Sequence, residues 1–219
     1  TVEDPIEYML SGINQVHVNE EIGMTFAAAL RAIMRQAPNV ILIGEIRDLE
    51  TAEIAVNAAL TGHLVFSTLH TNDAPSAITR LIDIGLKPFL VASALQSVMA
   101  QRLVRKICPE CKVPYTPTDW ELKGMGLTSD RLKGATFYRG TGCKVCKNTG
   151  YRGRIGIFEL MTVDEEIQKM IYKKIPSNEI RKVARQHGMK TLREDGILKV
   201  LNGITTFSEV METTQKDID

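Results

Sequence analysis

The sequence lacks any long apolar run. No stretch of its 219 residues approaches the roughly 18–20 apolar residues needed to cross a bilayer, and no basic-then-apolar leader opens it. A secreted or integral membrane protein is therefore disfavoured. Cysteine is scarce and confined: all four fall in two C-x-x-C pairs, Cys108/Cys111 and Cys143/Cys146, with none left over. Without a leader a reducing compartment is expected, where such spacing reads as metal binding before disulfides. Internal repeats and low-complexity tracts are also missing. Apolar residues at 44% and charged residues at 24% are ordinary globular proportions, which argues against wholesale disorder. The length suits one or two domains. The chain opens on Thr1 rather than Met, with Val2 already inside an apolar pattern, so a fragment or a processed chain is expected.

A net charge of +1 conceals an asymmetry. Residues 1–105 carry net −4, residues 106–157 net +6 and residues 158–219 net −1. An acidic, a basic and a near-neutral block suggest three units with different tasks. The basic block, with Lys123, Arg131 and Lys133 among its cations, is expected to face an anionic partner, either a membrane surface or an acidic platform protein.

The first hundred residues alternate strand and helix signals. Residues 1–3 end a strand, and Ile13, Val16 and Val18 allow another. Thr25 fits an N-cap before Phe26, Leu30, Ile33 and Met34 at helical spacing, until Pro38. Residues 40–43 and 64–68 read as buried parallel strands. Asp48 and Asp73 are placed to cap helices ending near Gly62 and Gly85, and a long helix is expected over 88–105. This order implies an α/β fold with a parallel sheet flanked by helices, whose ligands bind beyond the C-terminal strand ends. Glu3, Asp4, Glu45 and His70 fall there. Residues 155–160 read as a strand. Three T-x-x-E signatures, at Thr162, Thr191 and Thr206, and an N-cap at Ser177 mark helix starts beyond it.

Cys108-Pro-Glu-Cys111 and Cys143-Lys-Val-Cys146 can supply four thiolates to one tetrahedral ion. Soft sulfur favours zinc, with iron the main rival, and a closed shell implies a structural role. Four unliganded cysteines or a redox pair is the alternative. Tyr115, Trp120, Phe137, Tyr138 and Tyr151 within the basic block also admit a nucleic-acid surface, although aromatics in a small metal module more often form its core.

The remaining cluster comprises Glu3, Asp4 and Glu7, then Glu45, Arg47 and Asp48, then His63 and His70, with Arg31 and Arg35 one helical turn apart. Carboxylates at strand ends can hold Mg²⁺ or polarise a water, and arginines can neutralise a transferring phosphoryl group. Each residue singly also has an ordinary structural role.

Taken in order, Thr1-Val-Glu-Asp-Pro-Ile-Glu7, Leu42-Ile-Gly-Glu-Ile-Arg-Asp48 and Gly62-His-Leu-Val-Phe-Ser-Thr-Leu-His70 resemble the aspartate box, Walker B segment and histidine box of the ATPases of type II secretion and type IV pilus assembly. The C-x-x-C pairs, followed by Thr149-Gly-Tyr-Arg-Gly-Arg-Ile-Gly-Ile-Phe-Glu159, resemble the zinc module of the secretion and pilus-extension branch. The resemblance covers essentially the whole chain. It implies a partial RecA-like core over 1–105, a zinc-binding tetracysteine module over 106–157 and a helical subdomain over 158–219. It implies catalytic roles for Glu3, Glu45, His70, Arg31 and Arg35, nucleotide contacts for Asp4, Glu7 and His63, and zinc ligation by Cys108, Cys111, Cys143 and Cys146. ATP, Mg²⁺ and structural Zn²⁺ are the cofactors implied. The partners implied are five further copies in a homo-hexamer and inner-membrane platform proteins, with no nucleic acid, at the cytoplasmic face of the inner membrane. The family's phosphate-binding loop, G-x-x-x-x-G-K-[ST], has no counterpart, since none of the 16 glycines precedes a lysine. The chain by itself is therefore expected to turn over no ATP. A zinc-stabilised nucleic-acid-binding or protein-interaction module without ATPase activity is the alternative reading.

Overall fold

The computed structural model describes residues 1–124 and 136–214, so Arg131 and Lys133 lie outside the described residues. In chain order the elements are β1 (Val2–Glu3), β2 (Val16–His17), α1 (Phe26–Ile33), β3 (Val40–Ile43), α2 (Leu49–Leu60), β4 (Leu64–Ser67), α3 (Ala74–Asp83), α4 (Pro88–Ala94) and β5 (Ser97–Ile107). There follow β6 (Lys112–Tyr115), α5 (Asp119–Gly124), β7 (Phe137–Gly140), β8 (Tyr151–Thr162), α6 (Glu165–Tyr172), α7 (Ser177–Gln186), α8 (Leu192–Leu201) and α9 (Phe207–Thr213). The chain divides into two compact units, Thr1–Val98 with Thr162–Ala184, and Met99–Met161 with Arg185–Asp219.

In the first unit, β2-β1-β3-β4 form a parallel sheet. Three side-chain caps start its helices as their sequences suggest: Thr25 accepts from Ala28 N, Asp48 from Thr51 N and Asp73 from Ser76 N. Phe26, Ala29 and Leu30 of α1 and Ala55 and Ala58 of α2 pack on Val2, Ile41 and Ile43. Strands β3 and β4 are not buried on both faces as expected. Helices cover Ile41 and Ile43, whereas Val40, Leu42, Leu64 and Phe66 on the opposite face are exposed. α4 packs on α2, α3 and α6, and Arg181 of α7 pairs with Asp73 at 2.8 Å.

The long helix expected over 88–105 is a short one followed by a strand, α4 then β5. Leu95, Met99 and Leu103 mimic helical spacing, but Met99 and Leu103 are exposed, and the inward residues Val98, Ala100 and Val104 follow the period of two proper to a strand. In the second unit β5 pairs with β8, and β6 runs antiparallel to β7. Its cores are Phe137, Ile197, Val200, Phe207 and Val210, and Val104 with Ile157 and Leu192. Of the three T-x-x-E signatures only Thr191/Glu194 closes as a reciprocal capping box. Thr162 ends β8, and Asp164 caps α6 instead. Thr206 caps α9, but the Glu209 carboxylate that should reach back to it binds Arg105.

Candidate functional site

The C-terminal end of the parallel sheet gathers side chains from three loops. Strand β3 hands over to Gly44-Glu45-Ile46-Arg47, and Gly44 N donates to Val2 O at 2.8 Å. A Cβ at Gly44 would stand 3.2 Å from Val2 O and 3.3 Å from Glu3 Cα, so glycine allows β1 to approach closely enough to set Glu3 and Asp4 beside Glu45. On the other side Ile46 N donates to Thr68 O at 3.1 Å, and the Thr68 hydroxyl donates to Gly44 O at 2.6 Å. These bonds prolong the β3–β4 pairing and bring His70 alongside.

The result is a chain of charge. Glu45 accepts from Arg47 on Oε1 and meets His70 Nε2 at 2.9 Å on Oε2, while Arg47 reaches Asp4 at 3.4 Å. Glu45 is largely enclosed, with 15% of its side chain exposed, against 87% for His70. The Arg47 hydrogen bond, helped by His70 and opposed by partial burial, holds the Glu45 carboxyl below the ordinary range. Hydrogen bonds from the Thr1 hydroxyl and then Gln15 do the same for Glu3. Both are carboxylates at neutral pH. They are suited to orienting a water or balancing a cation.

Other candidates stand apart from this cluster. Arg31 pairs with Glu50 of α2, and Arg35 and Glu7 are exposed; none is a hydrogen-bond partner of Glu45. His63 precedes β4, at the opposite end of that strand from His70, and its Nδ1 lies 3.0 Å from the Ala58 carbonyl. Gln15 is the member that sequence reasoning missed, and Arg47, named in the cluster, was given no role of its own. Arg47 stood within the quoted motif, two residues from Glu45, but a single surface arginine carries no signal of its own.

In the second unit the four cysteines form the described residues' only group of three or more metal-ligating side chains, every sulfur within 4.8 Å of the others. Separations of 3.9 Å (Cys108–Cys143), 3.9 Å (Cys111–Cys146) and 3.6 Å (Cys143–Cys146) bracket the roughly 3.8 Å implied by tetrahedral sulfur at about 2.3 Å from zinc. Backbone N–H groups of Cys143 and Gly150 point at Cys146 Sγ, at 3.2 and 3.3 Å. Burial pushes this thiol up, but those donors and the neighbouring sulfurs bring it down to about 6. Gly140 and Gly150 cross so closely that a Cβ on Gly140 would lie 2.1 Å from Gly150 O. Four of the five neighbouring aromatics are engaged within the unit: Phe137 is core, Tyr115 packs on it, Tyr138 lies under Lys112 and Tyr151 under Arg105, whereas Trp120 touches Phe207 edge-on but is 71% exposed.

Residues 1–212 match the family of type II/IV secretion system proteins. The chain is 54% identical over 214 residues to the type IV pilus assembly ATPase PilB of Thermus thermophilus, covering 98% of this chain and 24% of that protein. It is 51% identical over 217 residues to type II secretion system protein E of Pseudomonas aeruginosa, covering 99% of this chain and 43% of that one. The chain thus spans less than half the length of these relatives. Among solved structures it superposes on the pilus retraction motor PilT with bound ADP at a TM-score of 0.67 and 30% identity, over 97% of this chain and 51% of that one. With the family matched over residues 1–212 and more than half of its residues identical to the PilB and protein E relatives over nearly its whole length, the chain belongs to the type II/IV secretion system protein family.

Proposed function

We propose that this chain is the C-terminal part of a motor that hydrolyses ATP to drive type II protein secretion or type IV pilus extension. The observation that carries the reading is the meeting of Asp4, Arg47, Glu45 and His70 at the C-terminal end of the sheet. Phosphoryl transfer demands positioning and charge balance rather than covalent chemistry, and this cluster offers both. Glu45 and Glu3 orient the attacking water, His70 stands by the terminal phosphate, and Asp4 and Glu7 complete the acidic box. Arg31 and Arg35, both exposed, are available to a neighbouring copy's nucleotide in a hexamer.

Mg²⁺, when bound, neutralises charge on the transferring phosphoryl group. The four cysteines would hold zinc in a closed shell, a structural staple with no open position. No described helix is long and apolar enough to cross a membrane. In this reading the motor works on the cytoplasmic side, against an inner-membrane platform. Of the described aromatics in this segment, Phe137, Tyr115, Tyr138 and Tyr151 are engaged internally, while Trp120 is exposed.

The test is Mg²⁺-dependent ATP turnover by the full-length protein and its Glu45→Gln variant. A loss of at least about a hundredfold is expected, and unchanged turnover would sink the reading. The 219-residue chain alone, lacking the phosphate-binding loop, is expected to show none.

A further inference from the structure

Glu3 sits at the end of a two-residue strand, too short for the backbone alone to fix a carboxylate. What holds it is partly a residue from β2's approach. Strands β1 and β2 run parallel with Val2 opposite Val16 and Glu3 opposite His17. Alternation therefore puts Val2 and Val16 toward the core and Thr1, Glu3, Gln15 and His17 on the other face. There the Gln15 amide makes three bonds. Its Nε2 donates to Glu3 Oε1 at 3.1 Å and to the Tyr8 carbonyl at 3.0 Å, and its Oε1 accepts from Leu10 N at 2.8 Å. Every bond uses the amide in the correct sense, so the side chain has one orientation that satisfies all three.

Thr1 and Gln15 both bind Oε1, and Oε2 has no partner among the described residues. The same amide ties Glu3 to the loop carrying Tyr8, Met9 and Leu10, all exposed. We propose that Gln15 is a positioning residue, which clamps Glu3 by one oxygen so that the other meets the attacking water, and which couples that orientation to the backbone of residues 8–10. This rests on the reading of Glu3 as a water-orienting carboxylate.

The experiment is a double-mutant cycle on ATP turnover by the full-length protein, with Glu3→Gln, Gln15→Met and both together. Gln15→Met keeps the length and removes the three bonds. It should lower kcat about tenfold, the effect of losing a hydrogen bond to a charged group, and leave KM for ATP and the unfolding temperature unchanged. Added to Glu3→Gln it should cost no more than about twofold, because its effect passes through Glu3. Gln15→Glu, which sets like charges together, should lower kcat at least as far.

Losses that simply add in the double variant, or a Gln15→Met enzyme with normal kcat, would overturn the proposal while leaving Glu3's role intact. A fall in unfolding temperature with KM and kcat moving together would also overturn it, marking Gln15 as merely structural. If Glu3→Gln itself retains full turnover, it is the underlying reading of Glu3 that fails, and the clamp with it.

Discussion

If the cysteine cluster holds its metal as proposed, removing the ion should unfold the β6–β7 region while leaving the parallel sheet intact. Cys146 is the place to strike: its sulfur is buried, receives two backbone N–H bonds and lies within 3.9 Å of two other sulfurs. Serine there puts a harder, shorter ligand on the ion. Apparent zinc-binding free energies of about 10–16 kcal/mol in small peptides match or exceed the roughly 5–15 kcal/mol that stabilise a whole domain. Among the described residues the two neighbouring cores hold five and three buried side chains, so a large share of the local order is expected to depend on the ion. Cys146→Ser, or extraction with a strong chelator, should therefore abolish stoichiometric metal. Backbone amide protection over residues 112–115 and 137–140 should fall at least about a hundredfold, with α1 and α2 unaffected. Elemental analysis of the native protein is expected to find zinc rather than iron. Native protein with neither metal at one ion per chain, or full protection after chelation, would refute the reasoning.

Two further outcomes follow from the second unit. Glu209, largely buried, is held below the ordinary carboxylate range by hydrogen bonds from Arg105. A depressed folded-state pKa contributes stability that is present above the unfolded value of 4.5 and lost as pH falls through the folded one. Thermal unfolding followed from pH 7 to pH 3 should thus decline more steeply below about pH 4.5 in the native protein than in Glu209→Gln; parallel curves would count against it. Gly140→Ala would force a methyl into the Gly150 carbonyl and should cost at least about 1–3 kcal/mol, read as a lowered denaturant midpoint, whereas Gly153→Ala meets no neighbouring atom and serves as a left-handed control that reports backbone strain alone.

Much of the fold was legible because its signals are local. Thr25, Asp48 and Asp73 each cap the helix that follows from three residues away, a distance over which the chain alone sets geometry. Signals that depend on distant partners misled. Thr206-x-x-Glu209 has the letters of a capping box, yet Arg105, 104 residues from Glu209, offers the carboxylate a charged partner and draws it away. Leu95, Met99 and Leu103 spell a helix face, but pairing with β8 makes the segment a strand. The apolar letters of β3 and β4 suggested burial on both sides, while helices cover one.

The candidate sites divide in the same way. Two C-x-x-C pairs announce a four-sulfur cluster from spacing alone, because two intervening residues are one tight turn and four sulfurs have one economical arrangement. Glu3, Asp4, Glu45 and His70 were legible as strand-end residues, since α/β chains place polar groups there. That Arg47 bridges Glu45 to Asp4 and that Gln15 grips Glu3 were decided only by the tertiary structure, whereas His63, just before the expected strand, was already placed at its far end from His70. Sequence spacing determines what shares a turn or a strand end. Which side chains meet across 12 to 43 residues depends on strand register and on how closely backbones approach, as at Gly44, and these emerge only when the sheet is assembled.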